Sequence, residues 1–185
     1  MAAGPEGAEG VVIRPAEEGD LPELLAIYNH EVANGTATYD LEPATLAERA
    51  AWMAAHDTGE AALTGTHPLV VAALPEDGRP GGRAAGYASL SPYRGKGGYA
   101  ATVELSVYVH QDMRGRGIGT LLMRHVICLA RANEGIHVVL SVVDSANAGS
   151  IRLHERLGFV EVGRVREGAR KFGRWLDDVT LELVV

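Results

Sequence analysis

The residues in this sequence best suited to chemistry form a glycine-rich stretch, Arg-Gly-Arg-Gly-Ile-Gly, at residues 114–119. An apolar, β-branched run precedes it, and a helical pattern of apolar residues follows it. The first turn of a helix has unpaired backbone N–H groups and a partial positive charge, and glycine lets these groups approach an anion without a Cβ in the way. The stretch therefore predicts a phosphate-binding site, and we expect the ligand to be a pyrophosphate.

Two common phosphate-binding loops do not fit this stretch. The sequence has no G-x-x-x-x-G-K-[ST], which excludes a P-loop NTPase, and the glycine spacing is not the G-x-G-x-x-G of a dinucleotide site. An Arg/Gly stretch can also belong to an RNA-binding tail. Such tails are repetitive and flanked by disorder, whereas this stretch has regular structure predicted on both sides, so we favour the phosphate site.

Length and composition predict one domain in a reducing compartment. The chain has 185 residues, enough to bury most of its apolar surface without a metal or disulfide. A net charge of −7 argues against a nucleic-acid partner, which would favour a basic surface. Cys128 is the only cysteine, so no intrachain disulfide is possible and a cytoplasmic location is predicted. Because Cys128 falls within the helical run 117–132, we expect it to be a small core residue.

No segment of the sequence predicts a leader peptide, a membrane span or a metal site. Residues 1–10 are rich in Ala, Gly and Glu and lack the regions of a signal peptide, so they predict a disordered tail. No run approaches 18 consecutive apolar residues, and we expect no membrane partner. The seven histidines form no H-x-x-x-H pair or Cys/His cluster, so we expect no metal.

Residues 11–185 predict a single domain whose elements follow the order β-α-α-β-β-β-α-β-α-β-β. Asp20 with Glu23 and Thr45 with Glu48 resemble capping boxes that begin the first two helices. The apolar run 136–143 predicts a strand buried on both faces. The order predicts an α+β or mixed α/β fold, with a sheet that carries helices on both faces.

The glycine-rich stretch fits the pattern R-x-x-G-x-G after a strand, and it resembles the acetyl-CoA loop of the GNAT (Gcn5-related) N-acetyltransferases. The order of elements over residues 11–183 is similar to the fold of that family. Longer patterns resemble its phosphinothricin acetyltransferase branch, whose members acetylate the α-amino group of phosphinothricin, methionine sulfoximine or methionine sulfone. These patterns are Tyr-Asn-His at 28–30, Val-Glu-Leu-Ser-Val-Tyr-Val at 103–109, the stretch 114–119, the residues 147–155 with 157–159, and Lys-Phe-Gly-Arg-Trp at 171–175.

The resemblance implies a GNAT fold, with a central mixed, mostly antiparallel twisted sheet, and acetyl-CoA as co-substrate without a metal. It also implies a bulged strand that splays from its neighbour and frees backbone groups for the pantetheine arm, with the Val107 N–H on the acetyl carbonyl. The residues that the resemblance places against the cofactor are Val107, Tyr108, Val109, Arg114, Gly115, Arg116, Gly117, Ile118, Gly119, Asn147 and Ser150. On their own, the side chains at 107–109 are also typical of a core strand, and Asn147 is typical of a helix N-cap.

Glu104 is the candidate general base. It is the one ionisable carboxylate in a run of Val, Leu, Ser and Tyr just before the cofactor loop, and the matching glutamate of the resembling branch is the base, directly or through a water. Burial would raise the pKa of such a carboxyl group towards the working pH, which suits the role. The alternative is a solvated residue on the outer face of a strand, because Val103 and Leu105 alternate with Glu104 and Ser106.

His154 is the candidate proton donor to the CoA thiolate. Many GNAT enzymes have tyrosine near this position, whereas this chain has histidine, as the phosphinothricin branch does. Imidazole titrates near neutral pH and can donate a proton there. The alternative is a histidine on the helix surface that pairs with Glu155 or with water.

The amine substrate of the resembling branch carries a carboxylate and needs a cationic partner. Arg94 matches an arginine of those enzymes and could bind a carboxylate with two hydrogen bonds, although it could equally be an exposed loop residue.

Tyr39 falls where the branch has an aromatic lid, and a core aromatic is the alternative. The motif at 171–175 could close the site or contact a second subunit, because the branch is commonly dimeric.

These residues predict an acetyl-CoA-dependent N-acetyltransferase that acts on the amino group of a small amino-acid-like molecule. We expect direct attack in a ternary complex, because no constellation for an acyl-enzyme stands out. The expected partners are this small-molecule amine and a second copy of the chain, with no nucleic acid or membrane. Two alternatives stay open: a different acceptor, such as a protein N-terminus, a polyamine or an aminoglycoside, and a catalytically silent acyl-CoA-binding module.

Overall fold

A computed structural model describes residues 10–76 and 78–185 of the chain. The predicted disordered tail, residues 1–10, therefore lies outside the described residues except for Gly10. None of the helices in these two ranges is long and apolar enough to cross a membrane.

The described part of the chain contains seven strands and four α-helices in the predicted order, which confirms the order of elements. Four short 3₁₀ turns lie in the connections. The elements are β1 (Val12–Pro15), α1 (Leu21–Asn34), α2 (Leu46–Ala54), β2 (Leu69–Glu76), β3 (Arg79–Pro92), β4 (Thr102–Val109), α3 (Ile118–Ala132), β5 (Val138–Asp144), α4 (Ala148–Arg156), β6 (Val160–Lys171) and β7 (Arg174–Val184).

The strands form one mixed sheet in the order β1-β2-β3-β4-β5-β7-β6. The contact between β4 and β5 is parallel, and the other neighbours pair antiparallel, which confirms the mixed, mostly antiparallel sheet. Because successive side chains of a strand point to opposite faces, the alternating apolar residues of β2 and β3 build two cores. One core packs against α1 and α2, and the other packs against α3 and α4.

The parallel pair β4 and β5 splays apart after three residues. Thr102 to Glu104 pair with Val138 to Leu140, and neither strand has further partners on that side. The Ser141 hydroxyl donates to the carbonyl oxygen of Leu105 at 3.3 Å, just where the gap opens. The predicted splay is therefore confirmed, and it opens a cleft in the middle of the sheet.

The bulge predicted in this strand is wrong. β4 pairs with β3 in an unbroken register from Val103 opposite Pro92 to Val109 opposite Gly86. The backbone groups of β4 that face the cleft are unpaired because β5 turns away, and no extra residue is inserted to free them.

One of the two predicted capping boxes is present. Thr45 caps α2, since its hydroxyl accepts from the Glu48 N–H at 3.2 Å and its own N–H donates to the Glu48 carboxylate at 2.8 Å. The box at Asp20 and Glu23 is wrong. The buried Asp20 carboxylate instead accepts two hydrogen bonds from Arg14, both at 2.7 Å, and one from the Glu17 N–H at 2.9 Å, which makes Asp20 part of a capping box at the preceding 3₁₀ turn, Glu18–Asp20.

Two predictions of burial are also wrong. Cys128 is exposed, because the buried stripe of α3 runs through Leu122, Val126 and Ala130 on the other side of the helix. Val142 of β5 is 41% exposed, although its strand was expected to be covered on both faces. The reason is the splay, which leaves Val142 on the wall of the cleft.

Candidate active site

The cleft between β4 and β5 has a volume of about 1200 Å³ and brings together most of the predicted site residues. The glycine-rich loop at residues 114–119 and the beginning of α3 line one end of the cleft. The helix α4 lines one side, and the segment between α1 and α2 covers the other side. Arg94 and Arg116 are the predicted residues that do not line it. Those that do are Tyr39, Glu104, Val107, Tyr108, Val109, Arg114, Gly115, Gly117, Ile118, Gly119, Asn147, Ser150 and His154.

The glycine-rich loop presents backbone N–H groups at one end of the cleft. Gly115 and Gly117 have φ angles of +76° and +80°, a left-handed conformation that glycine adopts without strain. Gly117 is the N-cap of α3 and supplies no capping side chain. The first N–H groups of α3 are therefore left for a ligand, and together with the helix dipole they fit a diphosphate.

The two arginines of the glycine-rich loop, Arg114 and Arg116, form contacts within the protein. The Arg114 guanidinium forms an ion pair with Glu31 of α1, and its Nε donates to the carbonyl oxygen of Val109 at 3.3 Å. The exposed Arg116 donates to the carbonyl oxygen of Asp112 at 3.3 Å. Arg114 thus ties the loop to α1 and β4, and the main chain is the part of the loop best placed for an anion. Cofactor contacts by either arginine stay a prediction.

Glu104 faces the cleft on the same side of the sheet as α1 and α2. The alternative of a solvated residue on an outer face is wrong, because the side chain is partly buried and lines the cavity. Burial raises the pKa of its carboxyl group, and within the described residues no charged neighbour opposes that shift. Glu104 therefore has the position and the raised pKa expected of a general base.

His154 of α4 is 1% exposed and lines the cleft, so the alternative of a surface histidine is wrong. Its Nδ1 lies 2.8 Å from the carbonyl oxygen of Ser150, which can only accept, so Nδ1 carries a proton. Its Nε2 is buried and has no partner among the described residues. Burial lowers the pKa of the imidazole, so the neutral ring, with a lone pair on Nε2, dominates at neutral pH.

Asn147 and Ser150 form the beginning of α4. The Asn147 side chain accepts from the Ser150 N–H at 3.1 Å, which confirms Asn147 as the N-cap of the helix. Both residues also line the cleft next to the glycine-rich loop. The structural position is thus compatible with the cofactor contacts that we predict for them.

The segment 36–40 between α1 and α2 covers the cleft, and we call it the lid. Lys171, at the end of β6, is 2% exposed and donates to the carbonyl oxygen of Thr38 at 2.8 Å. The Tyr108 hydroxyl donates to the carbonyl oxygen of Ala37 at 3.2 Å. The Thr36 hydroxyl donates to Asp144 at 2.5 Å. Three strands therefore hold the lid in place.

Tyr39 lies in the lid and lines the cleft, as an aromatic lid residue would. Its hydroxyl is buried without a hydrogen-bond partner among the described residues. Burial raises the pKa of this hydroxyl, and the neighbouring Asp178 and Asp144 raise it further. Tyr39 therefore has a neutral hydroxyl that can donate a hydrogen bond, and it faces the carboxylates of Asp144 and Asp178.

The acidic wall is a part of the site that sequence reasoning missed. Asp144 of β5 and Asp178 of β7 are directly opposite in the antiparallel register and line the cleft beneath the lid. The motif at 171–175 predicts closure of the site as one of two alternatives, and the hydrogen bond from Lys171 to the lid agrees with that alternative. The one available signal in the sequence was the carboxylate of Asp144 directly after the apolar run 136–143, which places it at the end of a buried strand.

The structure does not bring Arg94 into the cleft. It is exposed in the loop after β3, and its guanidinium lies over the rings of Tyr93 and Tyr99, 4.8 and 5.4 Å from their centroids. Of the two predictions for Arg94, the one of an exposed loop residue agrees with the observed position. The predicted partner of a substrate carboxylate is therefore absent from the cleft wall that the described residues form.

Comparisons with known proteins agree with this geometry. The model of the acetyltransferase (GNAT) family matches residues 24–159. The chain is 44% identical over 171 residues to the L-methionine sulfoximine/L-methionine sulfone acetyltransferase of Pseudomonas aeruginosa, covering 92% of each chain. It is 41% identical to the phosphinothricin N-acetyltransferase of Streptomyces coelicolor, covering 92% of this chain and 94% of that protein. The solved structure of yncA from Salmonella typhimurium with its cofactor acetyl-CoA has a TM-score of 0.83 and 36% identity, with coverage of 94% and 93%.

Proposed function

The chain belongs to the GNAT acetyltransferase family and is an acetyl-CoA-dependent N-acetyltransferase, and we propose that its acceptor is the α-amino group of a small amino-acid-like molecule. The proposed acceptors are of the phosphinothricin, methionine sulfoximine or methionine sulfone type, which are the substrates in the names of its relatives. The observation that carries the proposal is the splay of β4 and β5, because it puts Glu104 and the N–H groups of the glycine-rich loop on one cleft.

In this proposal the chain holds both substrates at once. Bound acetyl-CoA supplies an activated acetyl thioester. The N–H groups at 115–119 would hold its diphosphate, and the unpaired edge of β4 would hold the pantetheine arm. Glu104 removes a proton from the acceptor ammonium, directly or through a water, and the Val107 N–H supports the negative charge that develops on the acetyl oxygen.

We propose His154 for the last proton transfer, to the CoA thiolate. Its Nδ1 proton is committed to Ser150, so only the doubly protonated ring can donate from Nε2. Burial lowers its pKa and makes that form scarce at neutral pH. A water held by the Nε2 lone pair is the alternative donor.

The acceptor can be tested by measuring thiol release with a panel of amines. We expect phosphinothricin, methionine sulfoximine and methionine sulfone to give kcat/KM values about tenfold or more above those of polyamines, aminoglycosides and peptides, since differential binding of a small polar substrate is worth at least that factor. The reverse order would contradict the amino-acid acceptor. Binding of acetyl-CoA without thiol release for any amine would indicate a silent acyl-CoA-binding module.

A cationic acceptor is the second candidate, and one observation favours it. The lid side of the cleft carries Glu104, Asp144 and Asp178, while Arg94 lies outside the cavity. An acidic wall attracts a substrate with more than one positive charge. The Asp144→Asn variant separates the candidates, because it should weaken polyamine binding but not the binding of a zwitterionic amino acid.

We also propose a homodimer. β6 is an edge strand of the sheet, and exposed apolar side chains, Val160, Val162, Val165 and Trp175, lie along β6 and β7. An edge strand with such side chains is a ready surface for a second copy. Sedimentation should show a dimer that Val165→Glu with Trp175→Glu converts to a folded monomer, and a monomeric wild type at tens of micromolar would contradict the proposal.

The proposed location is a reducing cytoplasm. The support is the cysteine content, since one cysteine in 185 residues permits no intrachain disulfide.

A further inference from the structure

A histidine and a serine stand behind the proposed general base. His56, just after α2, has its Nδ1 2.8 Å from the carbonyl oxygen of Trp52 and its Nε2 2.9 Å from the Ser91 hydroxyl. A carbonyl can only accept a hydrogen bond, so the proton of the neutral ring is on Nδ1. Nε2 then has a lone pair, and the Ser91 hydroxyl must donate to it.

The surroundings of His56 keep its ring neutral. Burial is the largest cause and lowers the pKa of the imidazole, and the nearby positive charge of Arg49 and the ring of His67 lower it further. The Trp52 carbonyl and the Asp57 carboxylate raise the pKa, but the net shift is downward. At neutral pH the ring therefore accepts at Nε2, and the direction of the hydrogen bond from Ser91 is fixed.

Ser91 lies next to Glu104 across the sheet. Ser91 of β3 and Glu104 of β4 are directly opposite in the antiparallel register, so their side chains share the face towards α1 and α2. The Cβ atoms of such a pair are about 4.5–5.5 Å apart, within which a serine hydroxyl and a glutamate carboxyl can meet. Because its hydrogen is directed to His56, Ser91 presents only lone pairs to Glu104.

The direction of these hydrogen bonds distinguishes the protonated form of the Glu104 carboxyl group from the ionised form. Lone pairs on Ser91 repel an ionised carboxylate, whereas they accept a hydrogen bond from a protonated carboxyl group. The observed hydrogen bonds join Ser91, His56 and the Trp52 carbonyl, and Glu104 would extend them through the Ser91 oxygen only when it carries a proton. The same burial that raises the pKa of Glu104 acts in the same direction.

We infer that Ser91 and His56 are positioning residues for Glu104, and that they stabilise its carboxyl group after it has taken the proton of the acceptor ammonium. The inference rests on the proposed function. An N–H bond of the ammonium breaks and an O–H bond forms on Glu104, which then donates to the Ser91 oxygen. The free amine is acetylated, its second proton leaves with the CoA thiol, and the proton on Glu104 returns to solvent.

Two variants test the inference, and a third serves as a matched control. Ser91→Ala removes the acceptor for protonated Glu104, and His56→Phe removes the group that orients the Ser91 hydroxyl. Ser89→Ala is the control, because Ser89 lies two residues away on the same face of β3 and is opposite Ser106 rather than Glu104. Ser91 and His56 do not line the cleft, so acetyl-CoA affinity should stay within twofold in all three variants.

The first readout needs no turnover. Carbon-13 NMR of labelled glutamate, with Glu104→Gln to assign the signal, follows the titration of Glu104. Loss of the acceptor removes stabilisation from the protonated form alone, so the midpoint should move to a lower pH in Ser91→Ala and His56→Phe but not in Ser89→Ala. Ser91→Thr, which keeps the hydroxyl, should restore it. Equal titration curves in Ser91→Ala and Ser89→Ala would overturn the inference, whatever the acceptor proves to be.

The second readout is kinetic. In Ser91→Ala and His56→Phe, kcat at neutral pH should fall about three- to tenfold, as expected for the loss of one hydrogen bond, while KM changes less than twofold. The acid limb of the pH profile should move to lower pH with the NMR midpoint. A wild-type protein inactive on every amine would refute the proposed function and leave the NMR comparison valid, and unchanged kcat and pH profile in both variants would overturn the inference.

Discussion

Replacing Glu104 by glutamine should lower kcat by about 100- to 10,000-fold, which is the usual contribution of a general base. The amide has the same shape as the carboxyl group but cannot accept the ammonium proton, so the acceptor stays protonated and cannot attack. Thiol release at saturating substrate measures the loss. Calorimetry should show acetyl-CoA affinity within twofold of wild type, because the glycine-rich loop at 114–119, which we expect to hold the diphosphate, is untouched.

The pH dependence of this variant gives a second check on the same role. Its residual rate should rise with pH, because a larger fraction of the acceptor then arrives as free amine and needs no base. Glu60→Gln, at an exposed position of the 3₁₀ turn Gly59–Leu63, is the matched control and should keep full activity. Wild-type turnover in Glu104→Gln would remove Glu104 from the mechanism.

Replacing Gly117 by alanine should weaken acetyl-CoA binding about ten- to hundredfold, as the loss of one or two hydrogen bonds to a charged group would. Gly117 has a φ of +80° and lines the cleft as the N-cap of α3. A Cβ there strains the left-handed backbone at the N-cap of α3, whose first N–H groups we expect to hold the diphosphate. Calorimetric titration with acetyl-CoA measures the change in affinity.

Alanine at a second glycine with a positive φ angle, Gly59, is the control that distinguishes the effect of backbone strain from the loss of acetyl-CoA binding. Gly59 has a φ of +55°, lies outside the cleft, and would place an added Cβ in open space. Gly59→Ala should lower the free energy of unfolding by roughly 1 kcal/mol, about as much as Gly117→Ala, without a change in acetyl-CoA affinity. Equal affinities for acetyl-CoA in the two variants would show that the loop does not bind the diphosphate.

The fold could be predicted well because its signals are local in the sequence. Glycines at 115 and 117, apolar periodicity and the Thr45 cap each depend on neighbouring residues, and together they place the elements in order. The capping box at Asp20 failed because its carboxylate is used by Arg14, a partner that only the packing of β1 against the first 3₁₀ turn provides. Cys128 failed for a related reason, since one residue along a helix is enough to move a side chain off the buried stripe.

The position of the glycine-rich loop after β4 and before α3 could also be predicted, whereas the side-chain contacts of the candidate site could not. Asp144 lies opposite Asp178 only because of the register of β5 with β7, and Ser91 lies opposite Glu104 only because of the register of β3 with β4. Lys171 reaches the lid across more than a hundred residues of sequence. Arg94 was predicted from its match to an arginine of the resembling enzymes, but it lies outside the cleft. A match in residue type does not determine where a loop places its side chain.

The central claim is that the splay of β4 and β5, with the glycine-rich loop at its end, is the binding site for acetyl-CoA. Isothermal titration of the wild-type protein with acetyl-CoA tests it most directly. We predict binding of one acetyl-CoA per chain, with a Kd on the order of micromolar, corresponding to about −8 kcal/mol. Folded protein that gives no binding signal with acetyl-CoA or with CoA would contradict it.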